Sequence, residues 1–127
     1  MSGKNDRIRA HVRAFSELLI TLRAELGNDL DLVLIMAVIA ERHNGSKAAN
    51  PAPTEANPTP GINTLSVAMY ADIPRETVRR KVAKLVEKGW VKCDEHGILS
   101  PTRQASGDLA KGTAATLKYL GVISKSD

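Results

Sequence analysis

The apolar positions of the first 26 residues fall into one stripe. Ile8, Val12, Phe15, Leu19, Leu22 and Leu26 are spaced 4, 3, 4, 3 and 4, the period at which helices pair along a seam. Arg7, Arg9, Arg13, Glu17, Arg23 and Glu25 fill the other faces. The pattern predicts a helix over 5–26, stopped at Gly27-Asn28, where glycine tolerates the left-handed geometry that ends helices. The seam serves either packing within its own domain or dimerisation with a second subunit. A second helix over 30–43 starts from Asp29, a good cap, and within 30–40 only Asp31 is polar. A helix apolar on every side must be covered on most of them, which makes this the expected core helix. Over 44–61 the pattern stops: no large apolar side chain occurs there, and four of the chain's six prolines do. Such a stretch cannot offset its ordering entropy by burial, which predicts a flexible Pro-rich loop.

Periodicity returns after Gly61. Residues 64–71 read as a short helix with Asn63 or Thr64 as its cap, and Asp72-Ile73 as the turn that follows. Pro74 is expected at the first helical position, where its missing N–H costs nothing. A second helix over 75–88 is stopped by Gly89. Two helices joined by so short a turn form a helix-turn-helix over 64–88. Small Ala68 admits a close crossing, and Val78, ten residues later, is the expected buried anchor. Residues 90–93 and 98–100 then read as short strands around a glycine-containing turn, with Pro101 ending the second. Trp90 is expected as core beneath this hairpin over 90–100, and Cys93 as an inert strand residue without an activating base. A last helix over 108–123 carries a modest stripe, Leu109, Thr113, Leu117 and Leu120, weakened by Gly112. The expected fold is mainly α with a small β-hairpin wing: one winged helix-turn-helix domain over 1–127, flanked by N- and C-terminal helices.

Charge sharpens the picture. The net charge is only +4, but 75–88 holds six cationic and two acidic residues and therefore carries all of it. At 100° per residue Val78, Val82 and Leu85 share one stripe, while Glu76, Arg80 and Lys84 project from the opposite face, flanked by Arg75 and Arg79. Joined to a helix-turn-helix, such a face points to double-stranded DNA as partner. Aromatic residues, at 3%, are too scarce for a single-strand reader built on stacking rings. The lone Cys93 excludes an intrachain disulfide and a four-cysteine zinc site, and His11, His43 and His96 lack metal-ligand spacing. No metal or other cofactor is expected. Neither is enzymatic activity: the spacing shows no paired carboxylates, nucleophile–base set or phosphate-cradling glycine loop. The N-terminus lacks the apolar core of a signal peptide, and the most apolar run, 32–40, falls short of the roughly 18 residues of a membrane span. A cytoplasmic protein without membrane contact is the expectation.

The run Ile73-Pro74-Arg75-Glu76-Thr77-Val78-Arg79-Arg80, continued by Leu85, Gly89 and Trp90, resembles the DNA-binding domain of the Crp/Fnr transcription regulators. The resemblance covers about 40 of the 127 residues. It implies that Arg75, Glu76 and Arg80 read base edges in the major groove, as arginine suits guanine and glutamate the cytosine amino group. Arg79, Lys81 and Lys84 would then lie near phosphates. Asp72 replaces the family's usual turn glycine but still tolerates the left-handed region. Residues 1–43 read as helical, not as a cyclic-nucleotide-binding β-roll, so cyclic-nucleotide sensing is not implied. The acidic hairpin tip, Asp94-Glu95, is not assigned to phosphates. Terminal helices flanking a winged helix look like the layout of the MarR family, whose chain ends pack into a homodimer interface. That layout leaves room for a small-molecule effector, though no polar cluster marks a site. The expected function is sequence-specific DNA binding as a bacterial-type transcriptional regulator. A winged helix used for protein interaction, or a phage or plasmid replication or partition protein, are the alternatives.

Overall fold

The structure, a computed structural model, describes residues 3–49 (45–49 as backbone) and 61–124. Helices α1 (Gly3–Glu25), α2 (Leu30–Ala49), α3 (Thr64–Ala71) and α4 (Arg75–Glu87) precede strands β1 (Val91–Cys93) and β2 (Leu99–Pro101). Helices α5 (Arg103–Asp108) and α6 (Ala110–Ser124) follow. The chain is thus mainly helical with one two-stranded antiparallel sheet, and it divides into two compact units. One holds 31–107; the other joins the residues up to Leu30 with those from Asp108 onward. Among the described residues no helix is long and apolar enough to cross a membrane.

Two expected boundaries are corrected. The loop expected over 44–61 begins as helix, because α2 runs on to Ala49. Lys47, Ala48 and Ala49 are good helix formers, and extending an anchored helix costs far less than starting one. Residues 50–60, the rest of that expected loop, lie outside the described residues. The helix expected over 108–123 is α6, which starts two residues later, and a short helix that the sequence did not announce, α5, precedes it. Helix α5 is capped by Thr102, whose Oγ1 accepts the Ala105 N–H at 3.1 Å.

In the unit of 31–107, α2 buries Leu32, Val33, Ile35, Met36, Val38 and Ile39 and leaves open the stripe of Leu34, Ala37 and Glu41. It is the core helix its composition called for. Of the two candidate caps for α3, Asn63 is the one used: its Oδ1 accepts the Ser66 N–H at 2.8 Å. Asp72 ends α3 in the left-handed region at φ 58°, ψ 46°, and the Ile73 N–H returns to the Ala68 carbonyl at 3.1 Å. Pro74 is the cap of α4, not its first helical residue; its carbonyl accepts the Val78 N–H at 3.0 Å. Arg75 and Glu76 are therefore the first two residues of the helix.

The far end of α4 closes equally tightly. Gly89, at φ +82°, donates to the Val86 carbonyl at 2.9 Å, and Trp90 donates to the Leu85 carbonyl at 3.0 Å. This paired return satisfies carbonyls the helix leaves open, and it turns Trp90 back to be buried as Leu85 is. The strands pair Val91 with Pro101, Lys92 with Ser100 and Cys93 with Leu99. Ile62 lies alongside as a third edge, its carbonyl accepting the Leu99 N–H at 2.8 Å.

In the other unit α1 and α6 run antiparallel: Gly112 sits by Leu22 and Glu25, and Tyr119 by His11 and Phe15. The Gly112 N–H donates to Glu25 Oε1 at 2.7 Å. A Cβ at position 112 would stand 2.6 Å from that oxygen and 2.8 Å from Leu22 Cδ2. Gly112 is accordingly the point of closest approach, not a weak spot in a stripe. Ala14, Leu18 and Thr21 of α1 and Ala115, Tyr119 and Val122 of α6 line the seam between the helices. The stripes expected from the sequence point elsewhere. Ile8, Val12, Phe15, Leu117 and Leu120 are 44–64% exposed, whereas Leu19 and Leu22 are half-buried and Leu26 is buried. Small residues allow two helices to approach, so the pair closes along Gly112 and Ala115, reaching only the Leu22 edge and the Phe15 ring of the larger stripe.

Gly89→Ala would force a left-handed φ on alanine and place its Cβ 2.6 Å from Gln104 Oε1. The expected cost is about 1–2 kcal/mol, read as a lower urea midpoint at unchanged slope. An unchanged midpoint would show that another conformation closes α4.

Candidate nucleic-acid interface

The rotation of α4 is fixed from inside. Val78 and Leu85 are fully buried and Val82 is 6% exposed, so the opposite face is turned to solvent. Arg75, Glu76, Arg79, Arg80 and Lys84 are exposed, and Lys81 is half-buried on the flank. Among the described residues no salt bridge engages Arg75, Arg80 or Lys84. The structure thus turns Glu76, Arg79, Arg80 and Lys84 to solvent on one side of the helix, with Arg75 and Lys81 on its two flanks.

Within that face it also makes a pair that the sequence reading did not foresee. The Arg79 guanidinium grips both oxygens of the Glu76 carboxylate: Nε donates to Oε1 at 2.9 Å and Nη2 to Oε2. The hydrogen bond from Arg79 holds the Glu76 carboxyl below the usual carboxylate range, helped by the charges of Arg79 and Arg80. The same bond raises the Arg79 guanidinium in turn. A signal for it was present, because residues three apart on a helix are neighbours and Glu and Arg at that spacing pair. As the second helical residue, Glu76 also lies where exposed N–H groups favour a negative charge. A second unforeseen contact ends the helix: Lys88 Nζ lies 5.3 Å from the centre of the Trp90 ring, a cation–π arrangement.

The hairpin tip differs from a simple acidic tip. Asp94 Oδ1 accepts the N–H groups of His96 at 2.8 Å and Ile98 at 2.9 Å, so this carboxylate builds the turn. Those bonds, Ile98 first, hold its carboxyl below the ordinary aspartate range. Glu95 and His96 are exposed beside it, and Cys93 is an exposed free thiol on β1.

Chemically, the α4 face offers guanidinium forks and ammonium groups beside one carboxylate. Such groups bind phosphate oxygens and base edges. Among the described residues no polar or charged side chain is buried, and no cluster of three His, Cys, Asp or Glu could hold a metal ion. No protein-family model, curated protein or solved structure matches the chain.

The hairpin carries a pH dependence of definite sign. Because the folded pKa of Asp94 is depressed, its stabilisation is complete above the unfolded aspartate value and is lost as pH falls through the lower folded value. Amide exchange at His96 and Ile98 should therefore quicken relative to the intrinsic rate at each pH on acidification below about pH 4. Asp94→Ala should show that faster exchange already at pH 6. Equal protection in the two proteins at pH 6 would refute the role of this carboxylate.

Proposed function

We propose that the chain is a dimeric winged helix-turn-helix protein of the cytoplasm that binds double-stranded DNA sequence-specifically and regulates transcription. The proposal rests above all on the solvent face of α4, where Arg80 and Lys84 stand opposite the buried Val78 and Leu85 and Arg75 is exposed in the first turn. A helix of 13 residues presenting such a face suits the major groove, about 12 Å wide. In this reading α3 and α4 form the helix-turn-helix and β1 and β2 the wing. Arg75, Glu76 and Arg80 meet base edges, Lys81 and Lys84 meet phosphates, and Arg79 joins them when released from Glu76. The likeness of 73–91 to the Crp/Fnr motif supports transcription over the other uses of such a unit. No catalytic step and no cofactor enter the proposal.

The second copy packs on the outer face of the α1–α6 pair. At 100° per residue the stripes of Ile8, Val12 and Phe15 and of Leu117 and Leu120 turn to the same side of two antiparallel helices. These five large side chains, each about half exposed, amount to roughly 500 Å² of apolar surface, the apolar content of one side of a standard homodimer interface. A cleft of about 510 Å³ at the end of the pair, walled by Ile8, Val12, Val122 and Ile123, lies on the same surface. Two-fold symmetry then matches two α4 helices to the two halves of a palindromic site.

Selection from a random duplex library should yield a palindromic site. At that site Arg80→Ala is expected to cost roughly 1–3 kcal/mol and relax one base preference. Lys84→Ala should weaken all duplexes alike and flatten the salt slope by about one. Equal affinity of the native protein for selected and scrambled duplexes would overturn the proposal. Phe15→Glu should convert the sedimenting species from dimer to monomer with unchanged helical content. A native protein that sediments as a monomer at micromolar concentration would remove the second copy.

A further inference from the structure

We propose that Glu76 sets the specificity of α4 by withholding Arg79 from the phosphate backbone. The inference rests on the DNA-binding reading above and assigns a regulatory role within that face. Arg79 lies on the flank of the helix, next to the stripe of Glu76 and Arg80, and a guanidinium there is placed for phosphate. Glu76 instead occupies its donors at two points, through Nε and Nη2. Arg80 neighbours the same carboxylate on its other side but has no salt bridge to it. One cation of the face is therefore sequestered while another stays free.

This division bears on specificity because affinity for random sequence comes almost entirely from cations on phosphates. A cation held by its own helix contributes nothing to that affinity. At a cognate site a cytosine amino group donates to the Glu76 carboxylate, competing with Arg79 and turning the guanidinium towards phosphate. The clamp thus subtracts from random binding more than from cognate binding. Both partners are exposed, so the effect is modest, of the size typical for surface ion pairs. It operates across the neutral range, since Glu76 stays ionised there. A plainer alternative is that Glu76 repels phosphates directly, independently of Arg79.

The experiment measures equilibrium binding of a random-sequence duplex and of the selected duplex between 50 and 200 mM salt. It compares native protein, E76Q, R79Q and E76Q/R79Q, each checked for native helical content. E76Q is expected to bind the random duplex roughly two- to fivefold more tightly, with a salt slope steeper by up to about one. Its gain on the selected duplex should be smaller or negative. R79Q should weaken random binding more in the E76Q background than in the native one, by the same factor of roughly two to five. A gain of E76Q that survives intact in the double variant would overturn the clamp in favour of direct repulsion. So would an equal cost of R79Q in both backgrounds. Failure of the underlying reading looks different: the native protein itself would then bind neither duplex at 50 mM salt.

Discussion

The orientation of α4 about its own axis depends on Val78, Val82 and Leu85, which leave almost no surface to solvent. Every other property of the candidate interface follows from that rotation. With those three side chains inward, Arg80 and Lys84 have no direction to take but outward, and Glu76 and Arg79 are left side by side. Turning the helix by one residue would bury either the Arg79 guanidinium or the Lys81 and Lys84 ammonium groups, at a cost far above that of a lost methyl contact. Both ends reinforce the setting. Pro74 fixes where the helix starts, and the return of Trp90 onto Leu85 fixes where it stops. The face is thus held at the start, along the length and at the end by groups that never touch it.

How much of this was legible in the sequence differs between the two units. For 62–105 the local signals agree with one another: Asn63 caps, Asp72 takes the left-handed turn, Gly89 stops α4, and Trp90 is buried. Each is a short-range rule, so neighbouring residues suffice to apply it. The two boundary errors both lie at helix ends. Asn44-Gly45 reads as a stop, but α2, anchored by Ile35 and Ile39, runs through it, and the cap of α5 is a single threonine following a proline. The Glu76–Arg79 pair was equally local, but a carboxylate and a guanidinium assigned to separate roles conceal that they are each other's nearest partners.

The helix pair was harder to read. Large apolar residues at heptad spacing identify a stripe that wants cover, and they do not say which cover is reached first. Here α6 packs through Gly112, Ala115 and Tyr119, a stripe with little hydrophobic weight, because the absence of a side chain at 112 lets the Glu25 carboxylate reach the helix backbone. That contact joins residues 87 apart in the chain, so no window of sequence contains it. The heavier stripes, Ile8, Val12 and Phe15 with Leu117 and Leu120, were legible as apolar faces, while what covers them was open between the chain itself and a second copy.

The same separation has a kinetic consequence. The Thr102 hydroxyl closes on the Gly89 carbonyl over 13 residues, whereas Glu25 must find Gly112 over 87. Loop-closure entropy alone disfavours the longer contact by about 1.7 kcal/mol. On a ribosome the delay is longer still: at roughly 5–20 residues per second, the residues between Glu25 and Gly112 take about 4–17 s to synthesise. Through that interval Ile8, Val12 and Phe15 lie on a helix whose partner has not yet been made. Arg7, Arg9 and Arg13, interleaved with them on the same helix, are then gatekeepers of the nascent chain, since like charges beside an uncovered apolar stripe keep unfinished copies from joining one another.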